Sequence, residues 1–371
     1  MNERYRMLFD SVDLGKGTPL RNRIVMAPMT NFSSNDDGTV SDAEMKYYAR
    51  RSKGPGMVIT ACAYVTPDGK GFPGEFGVHS DEMIPGLRKL ADAIKAEGAK
   101  AVLQIFHGGR MCPPDQVPGG EVVSASAVPA AAEGAPVPRQ LTEKETDEMI
   151  AAFGAAARRA AEAGFDGVEI HGANGYLIQQ YFSPHSNRRE DRFGGSLEKR
   201  LTFPLAVVDE VKKAAAGKED FIVGYRFSPE EPETPGITMA ETLVLVDALA
   251  DRGLDYLHIS LMDFKSLPRR GVDDPRTRLE IIQDRAGAKL PVIGVGSIYK
   301  PEDAVAALQT GVPLIALGRE LIIEPEWVQK IEQGKEDEIA TVIDKDKQEE
   351  LTVPGPLWQA IINSPGWFPG V

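Results

Sequence analysis

Three residues with distinct chemistry follow one short apolar run in the stretch "GVEIHGANGYL". The run ends in His171, and Asn174 and Tyr176 follow within the next five positions. Histidine and asparagine can each donate a hydrogen bond to the same oxygen, and tyrosine can donate a proton. A buried histidine alone is most often structural. The three residues together at a strand end indicate a site that holds an oxygen and protonates a nearby atom.

A second group of residues has the character of an anion site. Gly296 lets backbone N–H groups approach an anion, Ser297 adds a hydroxyl group, and Arg319 adds a guanidinium group. Their stretches, "GVGS" and "GRE", follow the last two strand-like runs, where α/β barrels commonly hold phosphate. The alternative is that the glycines only turn the chain and Arg319 pairs with Glu320 or Glu324.

Two further polar residues lie in strand-like runs. The Gln104 amide combines a donor and an acceptor in one plane, which suits the edge of a heterocycle. Arg226, within "IVGYRFSP", would be buried and would need an anionic or strongly accepting partner. The alternatives are a structural glutamine and an ion pair of Arg226 with Glu230 or Glu231. Together with the anion site, these residues predict a planar, phosphate-bearing ligand that can carry negative charge.

The strands before these residues must position them, and eight β-then-α units run through the chain. Runs that are apolar on both faces indicate a parallel sheet covered by helices. Eight units predict an α/β fold, the (β/α)8 TIM barrel, with its chemistry at the C-terminal strand ends. A doubly wound sheet is the alternative, but "APMTNFSSNDDG" lacks its G-x-G-x-x-G turn. The expected strands span 22–28, 56–65, 100–107, 167–173, 221–229, 255–261, 291–298 and 313–320.

Some segments lie outside this repeat. Residues 10–22 predict an N-terminal hairpin that leads into the first strand. Residues 108–140, after the third strand, are too long for an ordinary barrel loop, and we expect them to form a substrate cap. We expect a single domain over residues 1–371, with a barrel core of about 8–334 and a C-terminal tail of 335–371.

Composition limits the partners and the location of the protein. A net charge of −13 and a pI near 5.0 argue against nucleic acid or an anionic membrane as partner. Cys62 and Cys112 are too few for a disulfide framework or a four-cysteine cluster, and no zinc-type motif surrounds His107 or His171. The N-terminus lacks a signal-peptide pattern, and no apolar run approaches the ~18 residues that span a bilayer. We expect a cytoplasmic protein without a metal site.

The motifs together resemble the old yellow enzyme family, which comprises FMN-dependent NADH:flavin oxidoreductases and ene-reductases. They cover roughly residues 8–330 in the family's order: "NRIVMAPMT", "LQIFHGGR", "GVEIHGANGYLIQQYFSPHSNRREDRFGGS", "VGYRFSP", "GVGS" and "LGRE". The resemblance implies that His171 and Asn174 hold a substrate carbonyl oxygen, while Tyr176 protonates the α-carbon.

The resemblance also implies a set of residues that bind FMN non-covalently. Thr30 would bond the flavin O4, Gln104 the pyrimidine edge, and Arg226 would lie near N1 and O2. Cys62 departs from the alanine or glycine that the family usually has there, which leaves its packing and reactivity open. The implied set is Pro28, Met29, Thr30, Cys62, Gln104, His171, Arg226, Val295, Gly296, Ser297, Gly318 and Arg319.

The implied enzyme takes hydride from NADH or NADPH and reduces an activated C=C bond of an enone-type substrate, without an iron–sulfur cluster. It is also expected to be a homo-oligomer, with the aromatic tail docked on a neighbouring subunit rather than on its own barrel. Two alternatives remain open at the level of the residues. A non-redox aldolase or isomerase would need a lysine or carboxylate base at a strand end, and Lys265 is the obvious lysine candidate. A non-catalytic flavin-binding protein would not need the His171, Asn174 and Tyr176 set.

Overall fold

The computed structural model describes residues 1–15 and 19–371. Within them, eight parallel strands close into a barrel in which each strand pairs with the next and the last pairs with the first. The predicted (β/α)8 barrel and all eight predicted strands are thereby confirmed. The strands are β1 Ile24–Met26, β2 Met57–Tyr64, β3 Lys100–Phe106, β4 Gly167–Gly172, β5 Ile222–Phe227, β6 Tyr256–Ile259, β7 Val292–Val295 and β8 Leu314–Leu317.

Helices cover the outside of the barrel, and four of them begin at capping boxes on Ser41, Thr142, Thr238 and Thr277. None of the described helices is both long and apolar enough to cross a membrane. The helices are Asp42–Ser52, Ile84–Ala96, Glu143–Glu162, Leu177–Phe182, Leu197–Arg200, Thr202–Ala214, Met239–Ala250, Arg278–Ala286, Pro301–Gln309, Arg319–Ile323, Trp327–Glu332 and Gly355–Ile362.

The interior of the barrel changes character along its axis. Near the N-terminal strand ends it is filled by apolar side chains, including Ile59, Val102 and Ile293. The predicted hairpin is present as Val12–Asp13 paired with Pro19–Leu20, and its apolar residues join the same cluster. The turn of the hairpin, residues 16–18, lies outside the described residues. The hairpin therefore closes the N-terminal end and leaves the other end for polar groups.

Strand register brings polar side chains together at that other end. Cys62 on β2 is opposite Gln104 on β3, which is opposite Glu169 on β4. Two residues farther along, His171 on β4 is opposite Arg226 on β5. Because side chains two apart on a strand share a face, these residues all point into the barrel. The register therefore builds two successive polar layers near the C-terminal strand ends.

The predicted substrate cap, residues 108–140, has a different position. Its Ser124 hydroxyl donates to Gln180 at 2.8 Å, and its Ala125 carbonyl accepts from Arg189 at 2.9 Å. These contacts hold it against the segment that follows β4, and no residue of 108–140 lines the central cavity. The prediction of a cap is therefore wrong, because this loop satisfies its polar groups on neighbouring loops instead.

The C-terminal tail docks on its own barrel. Trp358 is 6% exposed and Phe368 is 1% exposed, and both belong to the main hydrophobic core. The expectation that the tail docks on a neighbouring subunit is therefore wrong for these side chains, because a single chain already buries them. The helix Gly355–Ile362 was not predicted from a segment rich in proline and glycine.

Candidate active site

A cavity of about 630 Å³ opens at the C-terminal ends of the strands. Three predicted site residues, Cys62, Gln104 and His171, are buried beside it rather than lining it. The other predicted residues line it, namely Pro28, Met29, Thr30, Asn174, Tyr176, Arg226, Val295, Gly296, Ser297, Gly318 and Arg319. The structure thus gathers residues from seven strand ends around one space large enough for a small-molecule ligand.

His171 is a neutral hydrogen-bond donor in this structure. Its Nδ1 accepts from the backbone N–H of Ala173 at 3.3 Å, so the ring proton lies on Nε2. Burial, reinforced by the nearby Arg226 charge, lowers the pKa of His171 to about 3. The imidazole therefore stays neutral at physiological pH and can offer Nε2–H to an oxygen.

Asn174 is held with its amide nitrogen free to donate. Its backbone adopts a positive φ of 58°, which asparagine tolerates better than most residues. Its Oδ1 accepts from the Ser260 hydroxyl at 2.7 Å, and its backbone N–H donates to the Ser228 hydroxyl at 2.9 Å. Since Oδ1 is already used, Nδ2 is the group that can donate to a ligand in the cavity.

Tyr176 lies in an aromatic pocket beside His171. Its ring makes edge contacts with Phe106 and His171, each with a centroid separation of 5.0 Å, and with Phe72 at 6.2 Å. Burial, together with nearby acidic groups, raises the pKa of the Tyr176 hydroxyl above its ordinary value. The phenol therefore stays protonated and can act as a proton donor.

Arg226 is a buried cation that forms no direct ion pair among the described residues. One Nη donates to Ser260 at 3.2 Å, while Nε is buried without a hydrogen-bond partner. Neither predicted alternative partner is used, because Glu230 binds Arg278 and Glu231 binds Gln179 and Ser183. An electron-accepting ligand that becomes negative would supply an anion in direct contact with the guanidinium group.

The anion end of the cavity is built on glycine geometry. Gly296 has a φ of 134°, and a Cβ there would lie 2.8 Å from the Phe264 nitrogen, so only glycine fits. The Arg319 guanidinium contacts the Ser297 hydroxyl at 3.4 Å and donates to the Trp367 carbonyl at 2.9 Å. The alternative pairing of Arg319 with a neighbouring glutamate is absent from the described ion pairs.

Cys62 is an inert thiol in this environment. It is 5% exposed, and its Sγ donates to Glu75 at 3.3 Å. Burial raises the pKa values of both groups well above their ordinary values. Glu75 in turn accepts from the backbone N–H of Gly71 and Phe72, so it fixes the loop that carries Phe72 into the cavity wall.

Sequence reasoning missed several residues around the cavity. Glu169 and His258 form a buried pair on β4 and β6 at 2.9 Å. Ser260 orients Asn174, and Trp367 reaches the anion end from the tail. Glu169 is two residues before His171 on the same strand, so its side chain points into the barrel on the same face. This spacing could have predicted its position. No local signal could have placed Trp367, because its contact is 48 residues distant.

Comparisons with known proteins decide the family. A model of the NADH:flavin oxidoreductase / NADH oxidase family matches residues 7–338. The chain is also 57% identical over 371 residues to the "Probable NADH-dependent flavin oxidoreductase YqiG" of Bacillus subtilis (strain 168), which covers 100% of this chain and 99% of that relative. The chain belongs to the NADH:flavin oxidoreductase / NADH oxidase family.

Other similar proteins extend this finding. The chain is 47% identical over 360 residues to the "NADH:acrylate oxidoreductase" of Vibrio harveyi, which covers 95% of this chain but only 35% of that relative's length. A solved structure, the old yellow enzyme homologue from Zymomonas mobilis, superposes with a TM-score of 0.76 at 28% identity over 88% of this chain and 92% of the other. The resemblance to the old yellow enzyme family is thereby confirmed.

This family member is an oxidoreductase that uses a flavin and a nicotinamide nucleotide. The residues of the cavity fit a flavin, because Arg226, whose Nε has no hydrogen-bond partner, and the glycine-lined anion end face one space. Lysine is absent from the described lining, and Lys265 is exposed outside it. The aldolase or isomerase alternative is therefore outside the family, and the cavity lacks the lysine base that it would use.

Proposed function

We propose that this oxidoreductase binds FMN non-covalently and reduces activated C=C bonds of α,β-unsaturated carbonyl compounds with NADH or NADPH as donor. The observation that carries the proposal is the convergence of a neutral His171, a free Asn174 amide and a protonated Tyr176 beside one cavity. A non-catalytic flavin-binding protein would not need this set. The relative that acts on acrylate supports the activated alkene as substrate class.

The proposed roles of FMN contacts follow the cavity from one end to the other. Arg319, Ser297 and the backbone at Gly296 would hold the phosphate, and Gln104 and Arg226 would contact the ring system. Bound FMN would supply the hydride chemistry, taking hydride from the nicotinamide and giving it to the β-carbon. The nicotinamide and the alkene would use the same cavity. This favours a ping-pong sequence in which the nicotinamide leaves before the alkene binds.

The protein's own residues would activate the alkene. Nε2–H of His171 and Nδ2–H of Asn174 would donate to the carbonyl oxygen, so they stabilise the negative charge that develops as the β-carbon gains hydride. Tyr176 would then give its proton to the α-carbon, and its raised pKa keeps that proton available. The rings of Phe72 and Phe106 pack against the tyrosine ring and would limit the access of water to it.

The test begins with the purified protein. A bound flavin should give visible absorbance, and released cofactor should co-elute with FMN. Anaerobic reduction by NADH and by NADPH, followed by reoxidation with acrylate, simple enones, nitroalkenes and quinones, should identify the donor and the acceptor class. A protein that binds no FMN when reconstituted would overturn the proposal. Reduction without alkene-dependent reoxidation would remove the substrate class and leave the flavin reductase activity.

A further inference from the structure

The barrel interior contains a buried carboxylate that the proposed reaction does not use. Glu169, on β4, is 0% exposed and lies in the strand row between Gln104 and Gly224. The layer nearer the N-terminal strand ends is filled by apolar residues such as Val102 and Ile222. A position needed only for packing could take an apolar residue at lower desolvation cost, so a charged group here requires another explanation.

Three donors from two other strands converge on this carboxylate. Gln104 Nε2 donates to one oxygen at 2.7 Å, and the Tyr256 hydroxyl donates to the other at 3.0 Å. His258 Nδ1 lies 2.9 Å from the second oxygen, while its Nε2 is buried without a partner, which fits a neutral ring that donates from Nδ1. Three donors favour the ionised form of the carboxylate.

The backbone is shaped to permit this cluster. Tyr256 pairs with Gly224 on the intervening strand β5, and a Cβ at position 224 would lie 2.1 Å from the tyrosine ring. The missing side chain lets the Tyr256 ring cross β5 and reach Glu169. Arg226 lies two residues beyond Gly224, diagonal to Glu169, and its charge stabilises the carboxylate. The cluster therefore depends on specific residues on neighbouring strands, including a glycine that gives space for the tyrosine ring.

We propose that Glu169 is a positioning residue that orients the Gln104 amide and offsets the Arg226 charge, and so lowers the reduction potential of the bound flavin. This inference rests on the proposed binding of FMN. Because Gln104 uses one N–H on Glu169, its carbonyl oxygen and second N–H remain for the edge of the flavin ring. A fixed negative charge behind that edge opposes the charge that the ring gains on reduction.

The decisive measurement is the two-electron midpoint potential of holoenzyme variants. Glu169→Gln removes the charge and should shift the potential to a more positive value. We expect the preference for reduced over oxidised flavin to rise on the order of tenfold, which equals about 30 mV for a two-electron couple. Tyr256→Phe is the matched control, because it removes one hydrogen bond to the same carboxylate but leaves its charge, so its potential should stay near wild type.

A second variant separates charge from positioning. Glu169→Asp keeps the charge but is too short to hold Gln104, so it should bind FMN more weakly at a near-wild-type potential. If Glu169→Gln does not fold, redox-difference infrared spectra of the wild-type enzyme with 13C-labelled glutamate provide the test. Flavin reduction should perturb an ionised carboxylate band, and Tyr256→Phe should move that band.

The outcomes distinguish this inference from the function on which it rests. A wild-type protein that binds no FMN would refute the proposed function itself. A wild-type protein with bound FMN, combined with equal potentials for wild type and Glu169→Gln, would overturn only the role of Glu169. In the infrared experiment, the absence of any redox-linked glutamate carboxylate band would have the same consequence.

Discussion

Tyr176 illustrates how a residue's surroundings select its role. Its ring packs against the rings of Phe72, Phe106 and His171. Burial raises the pKa of its hydroxyl, so the phenol can give a proton but does not ionise. A proton is needed when the alkene is reduced, but not when the nicotinamide reduces the flavin. The two half-reactions should therefore respond differently to its removal.

We expect Tyr176→Phe to slow alkene reduction by about 10²- to 10⁴-fold, the usual effect of losing a general acid. Flavin reduction by NADH or NADPH should stay close to wild type. Stopped-flow absorbance measures each half-reaction separately. Tyr64→Phe is a suitable control, because Tyr64 is in the same apolar cluster but does not line the cavity. Equal slowing of both half-reactions by Tyr176→Phe would contradict the role of proton donor.

His171 should give no titration in the pH profile of alkene reduction. Its pKa of about 3 lies far below the ordinary histidine value, so the ring is neutral from pH 5 to pH 9. Between pH 6.5 and pH 3 the unfolded chain protonates this histidine, whereas the folded chain keeps it neutral. The contribution of His171 to folding stability is therefore full above pH 6.5 and is lost as the pH falls toward 3. Rates measured across pH 5–9 should match in shape between wild type and His171→Gln. An inflection near 6.5 that disappears in the variant would show a charged imidazole instead.

The tail is the element that the barrel pattern does not explain. Its helix, Gly355–Ile362, is docked through buried Leu357 and Ile361, and the chain then returns to the cavity at Trp367. The carbonyl of Trp367 accepts from Arg319, which also contacts Ser297 at the anion end. The tail therefore orients an arginine that would bind phosphate.

Deleting residues 364–371 should weaken FMN retention, because Arg319 loses the carbonyl that orients it. A hydrogen bond to a charged group contributes about 1.5–3 kcal/mol, so the FMN dissociation constant should rise about 10- to 100-fold. Fluorescence titration of apoprotein with FMN measures this. Gln359→Ala, on the exposed face of the tail helix, is the control. An unchanged dissociation constant would show that the tail only covers the barrel.

Light scattering on the same samples tests the expected homo-oligomer.

At the scale of the whole molecule, Glu320 links folding stability to pH. It is 1% exposed, and both its carboxylate oxygens are buried without a partner. Burial, followed by the charge of Glu324, raises its pKa to about 10. The unfolded chain ionises this group near its ordinary pKa of about 4.5, so folding takes up a proton between these values. Its contribution should therefore make the protein less stable as pH rises from about 5 to 10.

Glu320→Gln removes this dependence, since glutamine does not titrate. We expect the stability of the variant relative to wild type to increase from pH 5 to pH 9, because only the wild type loses stability as the pH rises toward the raised pKa of Glu320. Urea denaturation of both proteins at the two pH values, with FMN held at the same saturation, gives the comparison. Curves that stay parallel across this range would place the titrating group elsewhere.

Much of the barrel and its site could be predicted from local patterns. Apolar runs such as Met57–Tyr64 are buried on both faces and are long enough for one strand each, so their positions follow from hydrophobicity alone. The glycines at Gly98 and Gly164, both with positive φ after a helix, mark helix ends in the same local way. The grouping of His171, Asn174 and Tyr176 depended only on sequence spacing after a strand.

The tertiary structure decided what depends on pairing between distant strands. Gln104 and Glu169 meet because β3 and β4 pair in one register, and Tyr256 joins them only because position 224 has no side chain. The position of the tail is determined by the burial of its aromatic rings in the core. Residues 108–140 are held by hydrogen bonds of their backbone carbonyls to distant side chains. Periodicity reports which face of an element is buried, but it carries no information about which distant atoms complete a buried polar group. That choice depends on the geometry of the closed barrel.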